Sequence, residues 1–301
     1  MRSQIPSFRL PEDVLNEEVN YILDMGIHTQ FKTYVASLKE VLAKDYDAVF
    51  IGTGAPRGKD LANLPGREEA KANIHIGIEW LASVAFEHTE KIGKNVIVIG
   101  GGNTAMDCCR TSRRLGGDNV RVVVRSPFNE MKASPWEIED AQHEDIPFYN
   151  LHSPKRFVLE GGKLVGMEFE KVEAQYDNGK RNLVNTGEIV YMEADDVLMA
   201  IGQENSFPWI ERDLGLEFDE WNMPVVDKTT FQSTNPKVFF GGDSAFGPKN
   251  VITAVAHGHQ AAISIDLYCN NKDVHHRPDP MTNLTRQKMG IHEWSYNNQT
   301  A

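Results

Sequence analysis

Short apolar runs that end in glycine or polar turns alternate along this chain with longer segments whose apolar residues recur every three or four positions. The short runs lie at 47–51, 95–99, 120–124, 146–151, 195–201 and 238–240, and the helix-type segments at 11–25, 79–90, 135–144 and 250–269. Buried strands that alternate with helices are typical of α/β proteins. The pattern therefore predicts an α/β fold that contains a Rossmann-like unit.

Two further patterns add detail to this fold. Residues 156–172 and 182–192 alternate apolar with polar positions between Gly, Asn and Asp turns, which predicts a small antiparallel meander. The first helix, over 11–25, carries an apolar face and is ended by Gly26. That face consists of Val14, Leu15, Val19, Ile22 and Leu23.

The segment 95–107 is the most informative part of the sequence. Its strand runs into Gly100-Gly101-Gly102-Asn103-Thr104-Ala105, and a helix-compatible run follows. The spacing Gly100-x-Gly102-x-x-Ala105 fits the dinucleotide fingerprint, in which the glycines allow a tight turn and a close approach of the pyrophosphate. The pyrophosphate would lie on the amides of the helix N-terminus. The alternative is an ordinary glycine turn of an α/β protein.

The end of the next strand bears on the choice between NAD and NADP. No acidic residue stands there, and Arg125-Ser126 occupies the place where a carboxylate would bind the ribose of NAD. A guanidinium suits a 2′-phosphate, so this position favours NADPH. Arg125 could equally stack on adenine or point to solvent.

Composition and charge exclude several classes of function. The 301-residue chain has a net charge of −12 and no Lys/Arg cluster, which argues against nucleic-acid binding. No apolar run has transmembrane length, and the first residues do not resemble a signal peptide. Three cysteines and no C-x-x-C indicate a cytoplasmic protein without a redox disulfide, and we interpret all three as small, buried helix residues. The scattered histidines predict no metal site and are interpreted as surface or loop residues.

Four segments of the sequence resemble one family. They are 5–11 (Ile-Pro-Ser-Phe-Arg-Leu-Pro), 100–107, 200–203 and 238–243 with the helix that follows. Together they resemble the glutamate-synthase small-subunit family of pyridine-nucleotide:flavin oxidoreductases. In that family an NAD(P) domain is inserted in an FAD domain, so the resemblance implies FAD and NAD(P)H as cofactors.

The resemblance also implies residue roles. The Gly-Gly-Asp turn, here with Gly242 and Asp243, binds the ribityl chain of FAD. The next helix points its N-terminus, Asn250, Val251 and Ile252, at the flavin ring, where its dipole stabilises negative charge. The glycine turns at Gly54 and Gly202 complete the candidate cofactor residues. No phosphate-binding helix is expected at Gly54, because Pro56 and Arg57-Gly58-Lys59 follow it.

The sequence departs from the family at three places. The family's FAD fingerprint belongs upstream of the segment 5–11 and is not in this sequence. Its paired arginines after the second NAD(P) strand appear as Arg125-Ser126, and a Glu-Gly pair of the last helix appears as His257-Gly258. We therefore expect a fragment, a missing half supplied by another chain, or a loss of FAD binding. The expected divisions are 1–78 for the end of the first FAD half, 79–203 for the NAD(P) domain, 204–270 for the returning FAD segment and 271–301 for a polar tail.

Three functions fit these observations. The first is an electron-transfer module that moves hydride between NAD(P)H and FAD and passes electrons to a partner iron–sulfur or metal subunit. This chemistry needs no acid or base from a side chain, and no catalytic side chain is predicted. The second is a stand-alone reductase of an organic substrate, which would need a pocket acid. The third is a non-catalytic, nucleotide-binding assembly subunit.

Overall fold

The computed structural model describes residues 1–277. The helices are α1 (Glu12–Leu23), α2 (Leu38–Leu42), α3 (Gly77–Ala85), α4 (Asn103–Arg114), α5 (Pro135–His143), α6 (Asp243–Phe246) and α7 (Val251–Cys269). The strands are β1 (Val49–Ile51), β2 (Arg57–Gly58), β3 (Ile74–Ile76), β4 (Asn95–Ile99), β5 (Asn119–Val124), β6 (Phe148–Asn150), β7 (His152–Glu160), β8 (Lys163–Asp177), β9 (Lys180–Glu193), β10 (Asp196–Met199), β11 (Gln203–Glu204) and β12 (Val238–Phe240). Most of the predicted tail, 278–301, lies outside the described residues.

Five strands form one parallel sheet in the order β3-β10-β4-β5-β6. The strands β4 and β5 are apolar on both faces, as a sheet covered on both sides requires. Val96 and Val98 pack with Ala105 and Cys109 of α4, whereas Ile97 and Ile99 pack under the meander. The sheet thus lies between helices on one face and β7-β8-β9 on the other.

The predicted α/β fold with its Rossmann-like sheet and antiparallel meander is confirmed. The parallel sheet begins earlier than the expected boundary at residue 79, because β3 pairs with β10 from Ile74 onward. We name residues 57–204, which hold this sheet and the meander, the inserted half.

Residues 1–56 and 205–277 form what we name the outer half. Its β1 and β12 pair in parallel, with Val49 opposite Val238 and Ile51 opposite Phe240. The side chains of Leu38, Phe207, Ile210 and Leu216 pack with Ile51 and Phe240 in a separate core. The short antiparallel pair β2–β11 joins the two halves.

The helix α1 forms where the periodicity predicts it, but its apolar face is only partly covered. None of its residues is buried, and Tyr21 and Ile22 are exposed. Periodicity predicts that a helix forms, whereas burial depends on a neighbour that the periodicity does not reveal. No helix in residues 1–277 is both long and apolar enough to cross a membrane.

Candidate functional site

Gly100 makes the turn at the end of β4 and could not be replaced without strain. Its φ of +141° lies in the region that favours glycine, and a Cβ there would stand 2.1 Å from the carbonyl oxygen of Ala200. The end of β4 therefore approaches the end of β10 by backbone contact. Gly101 is nearly as crowded, because its Cβ would lie 2.8 Å from Cγ1 of Val124.

Gly102 is different, because the space beside it is open. A Cβ at Gly102 would meet nothing within 4 Å, and Gly102 is the N-cap of the 12-residue helix α4 without a side-chain cap. Among the described residues, the amides of Asn103 and Thr104 have no hydrogen-bond acceptor. Unpaired amides at a helix N-terminus attract an anion. The fit to a pyrophosphate supports the sequence prediction for this turn.

Ala105 lies on the opposite side of the helix start and is fully buried against the sheet. Its small side chain lets α4 pack close to β4, as the fingerprint requires.

A second segment supports the glycine turn from outside. The carbonyl of Gly101 accepts hydrogen bonds from the amides of Lys132 and Ala133, both at 2.9 Å. The amide of Ser134 donates to Oδ1 of Asn103 at 2.8 Å, so the start of α5 is joined to the start of α4. Sequence reasoning missed this support, because nothing in the spacing of residues 131–134 indicates which turn they contact.

Arg125 and Ser126 lie beside the glycine turn. Ile99 pairs with Val123, so both strands end at the same edge of the sheet. Arg125 is exposed, and the carbonyl of Ser126 accepts a hydrogen bond from Nδ2 of Asn150. The exposed guanidinium can therefore contact a ligand that extends from the glycine turn toward β5. Whether it selects NADP stays a prediction.

The sheet order reverses at β4, which has β5 on one side and β10 on the other. Ligands of open α/β sheets bind in the crevice at such a switch point. Gly202 follows β10 at this edge, and its carbonyl accepts a hydrogen bond from the amide of Lys59. The structure thus brings together Gly100 to Ala105, Arg125, Ser126 and Gly202 at one edge.

The remaining predicted residues lie in the outer half, at the ends of β1 and β12. Gly54 is in the loop after β1, and Gly242 starts α6 with a φ of +64°. Asp243 accepts a hydrogen bond from the amide of Lys249, and burial raises the pKa of its carboxyl. Asn250 caps α7 through the amide of Thr253.

The first residues of α7 face open space. Ile252 is 81% exposed and Val251 is half-buried. The glycine turn at Gly242 and the α7 N-terminus thus lie near the ends of β1 and β12.

His257 corrects the interpretation of the histidines as surface or loop residues. It is half-buried in α7, with the rings of Phe231 and Phe246 about 5 Å away, and its Nδ1 accepts a hydrogen bond from the amide of Gly242. Burial lowers the pKa of His257, which keeps the ring neutral and able to accept this bond. The His-Gly departure from the family pattern thus lies against the predicted flavin turn.

The cysteines are corrected at one position. Cys108 and Cys109 are buried in α4, and burial raises the pKa of both thiols, so they are unreactive. Cys269 is exposed, because it is the last residue of α7, where the helix leaves the core. No group of side chains within residues 1–277 has the geometry of a metal site.

Sequence reasoning also missed the role of the segment 5–11. Phe8 lies under the guanidinium groups of Arg110 and Arg114, 4.9 and 4.0 Å from its ring centre. Arg9 forms ion pairs with Asp107 of α4 and Glu137 of α5 at 2.7 and 2.8 Å. The Phe-Arg pair between the two prolines of this segment contributed to the family resemblance. Nothing in the sequence indicated that it contacts the helix that follows the dinucleotide turn.

Comparison with known proteins agrees with this geometry. The sequence pattern of the pyridine nucleotide-disulphide oxidoreductases matches residues 5–258. The chain belongs to this family. Within it, the chain is similar to the NADP(+)-dependent formate dehydrogenase subunit beta of Moorella thermoacetica, with 32% identity over 96% of this chain and 41% of that protein.

Two other relatives extend this group. The glutamate synthase [NADPH] small chain of Escherichia coli is 31% identical over 87% of this chain and 59% of its own length. The NADPH-Fe(3+) oxidoreductase subunit beta of Geobacter sulfurreducens is 29% identical over 86% of this chain and 42% of its own length. The chain thus spans about half the length of the curated relatives it matches. The predicted resemblance to the glutamate-synthase small-subunit group is confirmed.

Solved structures support the same fold for this family member. FprA of Mycobacterium tuberculosis, in complex with NADPH, has a TM-score of 0.71 at 18% identity over 90% of this chain and 75% of that one. The thioredoxin reductase of T. acidophilum has a TM-score of 0.58 at 23% identity over 74% of this chain and 66% of that one. The predictions of an NAD(P)H-dependent oxidoreductase and of NAD(P)H and FAD as cofactors are confirmed at the level of the family.

Proposed function

We propose that this chain is the pyridine-nucleotide-binding part of a flavoenzyme that moves hydride between NADP(H) and FAD and passes electrons to a partner chain. The observation that carries the proposal is the open N-terminus of α4 at Gly102, in the crevice where the order of the sheet reverses. An anion-binding helix start at this place fits the pyrophosphate of a dinucleotide.

NADP(H) is favoured over NAD(H) by two observations. Arg125 is exposed beside the glycine turn, where its guanidinium can bind a 2′-phosphate. Three relatives are also named for NADP or NADPH. Ser126 adds a hydroxyl at the same position.

The outer half fits the flavin end of FAD. Gly242 makes a turn with a φ of +64°, Asp243 places a carboxyl next to it, and the N-terminal turn of α7 carries the exposed Ile252. Within residues 1–277, Gly54 stands in a loop and starts no helix, so the outer half offers no second pyrophosphate site of the Gly102 type. The described residues therefore fit the ribityl chain and the flavin ring better than the adenosine.

The residues of this chain bind and orient; they need not transfer protons. The nicotinamide and the flavin supply the hydride chemistry when they are bound. The amides of Gly102, Asn103 and Thr104 hold the nucleotide, and the N-terminus of α7 stabilises negative charge at the flavin ring. No side-chain acid or base is required, which agrees with the prediction of no catalytic side chain.

A partner chain is proposed because the relatives are named as beta subunits and as a small chain. An iron–sulfur or metal centre in that partner would accept the electrons. We also propose the division of the chain into an FAD domain and an inserted NAD(P) domain, with the first boundary placed before β3, because β3 pairs with β10.

The test uses the 301-residue chain and its Gly102→Val variant. The wild type is expected to bind NADPH and, with FAD in large excess to offset its weak binding, to reduce an artificial dye. The variant is expected to lose both, with an unchanged circular dichroism spectrum and melting temperature, because its side chain fills open space. NADPH binding that survives in the variant contradicts the proposal.

The same assay separates the other functions. Dye reduction without turnover of any organic substrate supports electron transfer to a partner. Efficient turnover of an organic substrate by the isolated chain points to a stand-alone reductase instead. NADPH binding without any flavin-dependent activity, even with partner proteins present, points to an assembly subunit.

A further inference from the structure

We propose that Arg9 is a positioning residue for the nucleotide site, although it lies about ninety positions upstream of the glycine turn. Arg9 belongs to the outer half, and both carboxylates that it binds belong to helices of the inserted half. This inference rests on the proposed binding of NADP(H) at Gly102, and it assigns a function to the segment 5–11.

The first step of the argument is the geometry around the guanidinium. Nη1 of Arg9 donates to both carboxylate oxygens of Asp107 at 2.7 Å, and Nε pairs with Glu137 at 2.8 Å. The side chains of Asp107 and Glu137 are only 5% and 8% exposed. Two buried carboxylates on different helices therefore share this cation, and Glu137 also pairs with Arg110 at 3.3 Å.

The second step is where those carboxylates lie. Asp107 is one helical turn after Asn103, and Glu137 is three residues after Ser134. Asn103 and Ser134 already join the starts of α4 and α5 at the nucleotide edge. Arg9 joins the same two helices one turn further from the ligand. Further from the ligand, Arg110 of α4 also pairs with Glu137 and Glu144, so Arg9 and Asn103 hold the ligand-side ends of helices that ion pairs join along their length.

The third step links the separation of α4 and α5 to the ligand. Lys132 and Ala133, which lead into α5, hold the carbonyl of Gly101 in place. If α4 and α5 move apart, the turn that presents the amides of Gly102 and Asn103 loses this support. Such a displacement of the turn weakens binding even when the groups that touch the ligand stay the same.

The charge balance predicts what happens without Arg9. Three charged side chains face Asp107, namely Arg9 of the N-terminal segment, Glu137 of α5 and Arg110 of the same helix. Burial raises the pKa of Asp107 to about 6 even with both arginines present. Because Arg9 lowers this pKa, loss of Arg9 raises it further and leaves Asp107 and Glu137 repelling each other wherever Asp107 is ionised. Protonation of Asp107 at lower pH relieves the repulsion.

The experiment measures the Kd of NADP⁺ by calorimetry, with melting temperatures, for the 301-residue chain at pH 8 and pH 6. We expect Arg9→Gln to weaken binding about tenfold at pH 8, within the usual range for coupling between sites, and by less at pH 6. We expect Arg9→Gln/Asp107→Asn to recover most of the affinity at pH 8. The matched control is Arg2→Gln, because Arg2 pairs with Glu12 on the exposed surface, and it is expected to change nothing.

Several results overturn the proposal. One is a lower melting temperature of Arg9→Gln with an unchanged Kd, which marks a merely structural role. Another is an equal loss at both pH values, or no recovery in the double variant. If Arg9→Gln does not fold, Arg9→Lys decides: we expect a Kd about threefold higher, since a lysine cannot reproduce the forked pairing, and an unchanged Kd overturns the proposal. A wild type that does not bind NADP⁺ refutes the proposed function itself, whereas a binding wild type with a normal Arg9→Gln refutes only this inference.

Discussion

The inserted half and the outer half are both built from parallel strands and helices, yet they cover their apolar surfaces to different degrees. In the inserted half, β10, β4 and β5 each have two neighbouring strands, and helices and the meander cover the two faces. In the outer half, β1 pairs only with β12 among the described strands. Large apolar side chains are exposed there, namely Tyr21, Ile22, Met25, Ile27, Phe31, Tyr34, Val35 and Phe50.

Residues 27–35 make the contrast clearest. Ile27, Thr29, Phe31, Thr33 and Val35 alternate with polar or amphipathic residues, which is a strand pattern. The segment forms no strand, and Phe31 and Tyr34 are 76% and 84% exposed. A strand needs a neighbour for its backbone hydrogen bonds. The comparison therefore teaches that a segment with a strand pattern forms no strand where no described strand lies beside it.

The largest expected difference between the halves is in ligand affinity. We expect the 301-residue chain to bind NADPH with a Kd of about 1–100 µM and to show no saturation by about 1 mM FAD. The reason is that the inserted half presents its anion site whole, whereas the outer half presents only the flavin end. Titration and the flavin content after gel filtration measure this. A stoichiometric, yellow and monodisperse protein would falsify the comparison.

A second prediction concerns the stability of the inserted half. Gly100→Ala places a Cβ against the carbonyl of Ala200 and is expected to cost roughly 4 kcal/mol or more of unfolding free energy. Gly102→Ala is the matched control, with an expected change within about 0.5 kcal/mol, because its side chain meets nothing. Denaturant unfolding compares the two. Equal stabilities would mean that β4 and β10 do not approach as described.

Asp107 provides a pH-dependent prediction at the contact between the halves. Burial raises its pKa from the ordinary 3.8 to about 6, so the folded protein binds this proton more tightly than the unfolded chain. Asp107 therefore contributes about 3 kcal/mol to the free energy of unfolding below pH 4, and this contribution is lost as the pH rises to 6. The difference in stability between the wild type and Asp107→Asn, measured across this range, should change with this sign. A constant difference contradicts it.

Arg125 is expected to have a smaller and more selective effect. Arg125→Ala removes a charge-assisted contact of roughly 1.5–3 kcal/mol, which weakens NADPH by about 10- to 150-fold. NADH, without the 2′-phosphate, should change much less. Paired titrations of the wild type and the variant test this. Tighter binding of NADH than NADPH by the wild type would show that Arg125 does not select the phosphate.

The smallest effect on stability is expected at the exposed surface of the outer half. Phe31→Ser/Tyr34→Ser should change the unfolding free energy by no more than about 0.5 kcal/mol, since neither ring is buried. It should still reduce self-association, because exposed apolar patches promote it. Trp136→Ser, an exposed aromatic on the inserted half, is the control. If light scattering falls equally in both variants, the outer half does not promote self-association more than the inserted half.

Much of the fold could be predicted from local patterns. The strands around 95–99 and 120–124 and the helix between them were defined by apolar runs and by the glycine spacing, and the fingerprint turn lies where that spacing predicts. The partial exposure of the apolar face of α1 and the irregular conformation of residues 27–35 could not be predicted, because periodicity describes a segment and not its neighbours.

The candidate site was predictable only in part, for a related reason. Gly100, Gly102 and Arg125 are adjacent to strand ends, so their meeting follows from parallel topology. The contacts of Arg9 with Asp107 and Glu137, and of His257 with Gly242, join residues far apart in the sequence by side-chain geometry. No rule of residue spacing predicts such pairs. The same holds for Cys269, whose exposure depends on where α7 ends relative to the core.

The two-residue ladder of β2 and β11 has an evolutionary consequence. Gly58 pairs with Gln203, so the chain enters and leaves the inserted half through adjacent strands. A segment whose ends are neighbours can be exchanged between host proteins with little disturbance of the host backbone. Recombination at these two strands would exchange the glycine turn at Gly100–Ala105 and Arg125 as one unit and leave the outer half unchanged.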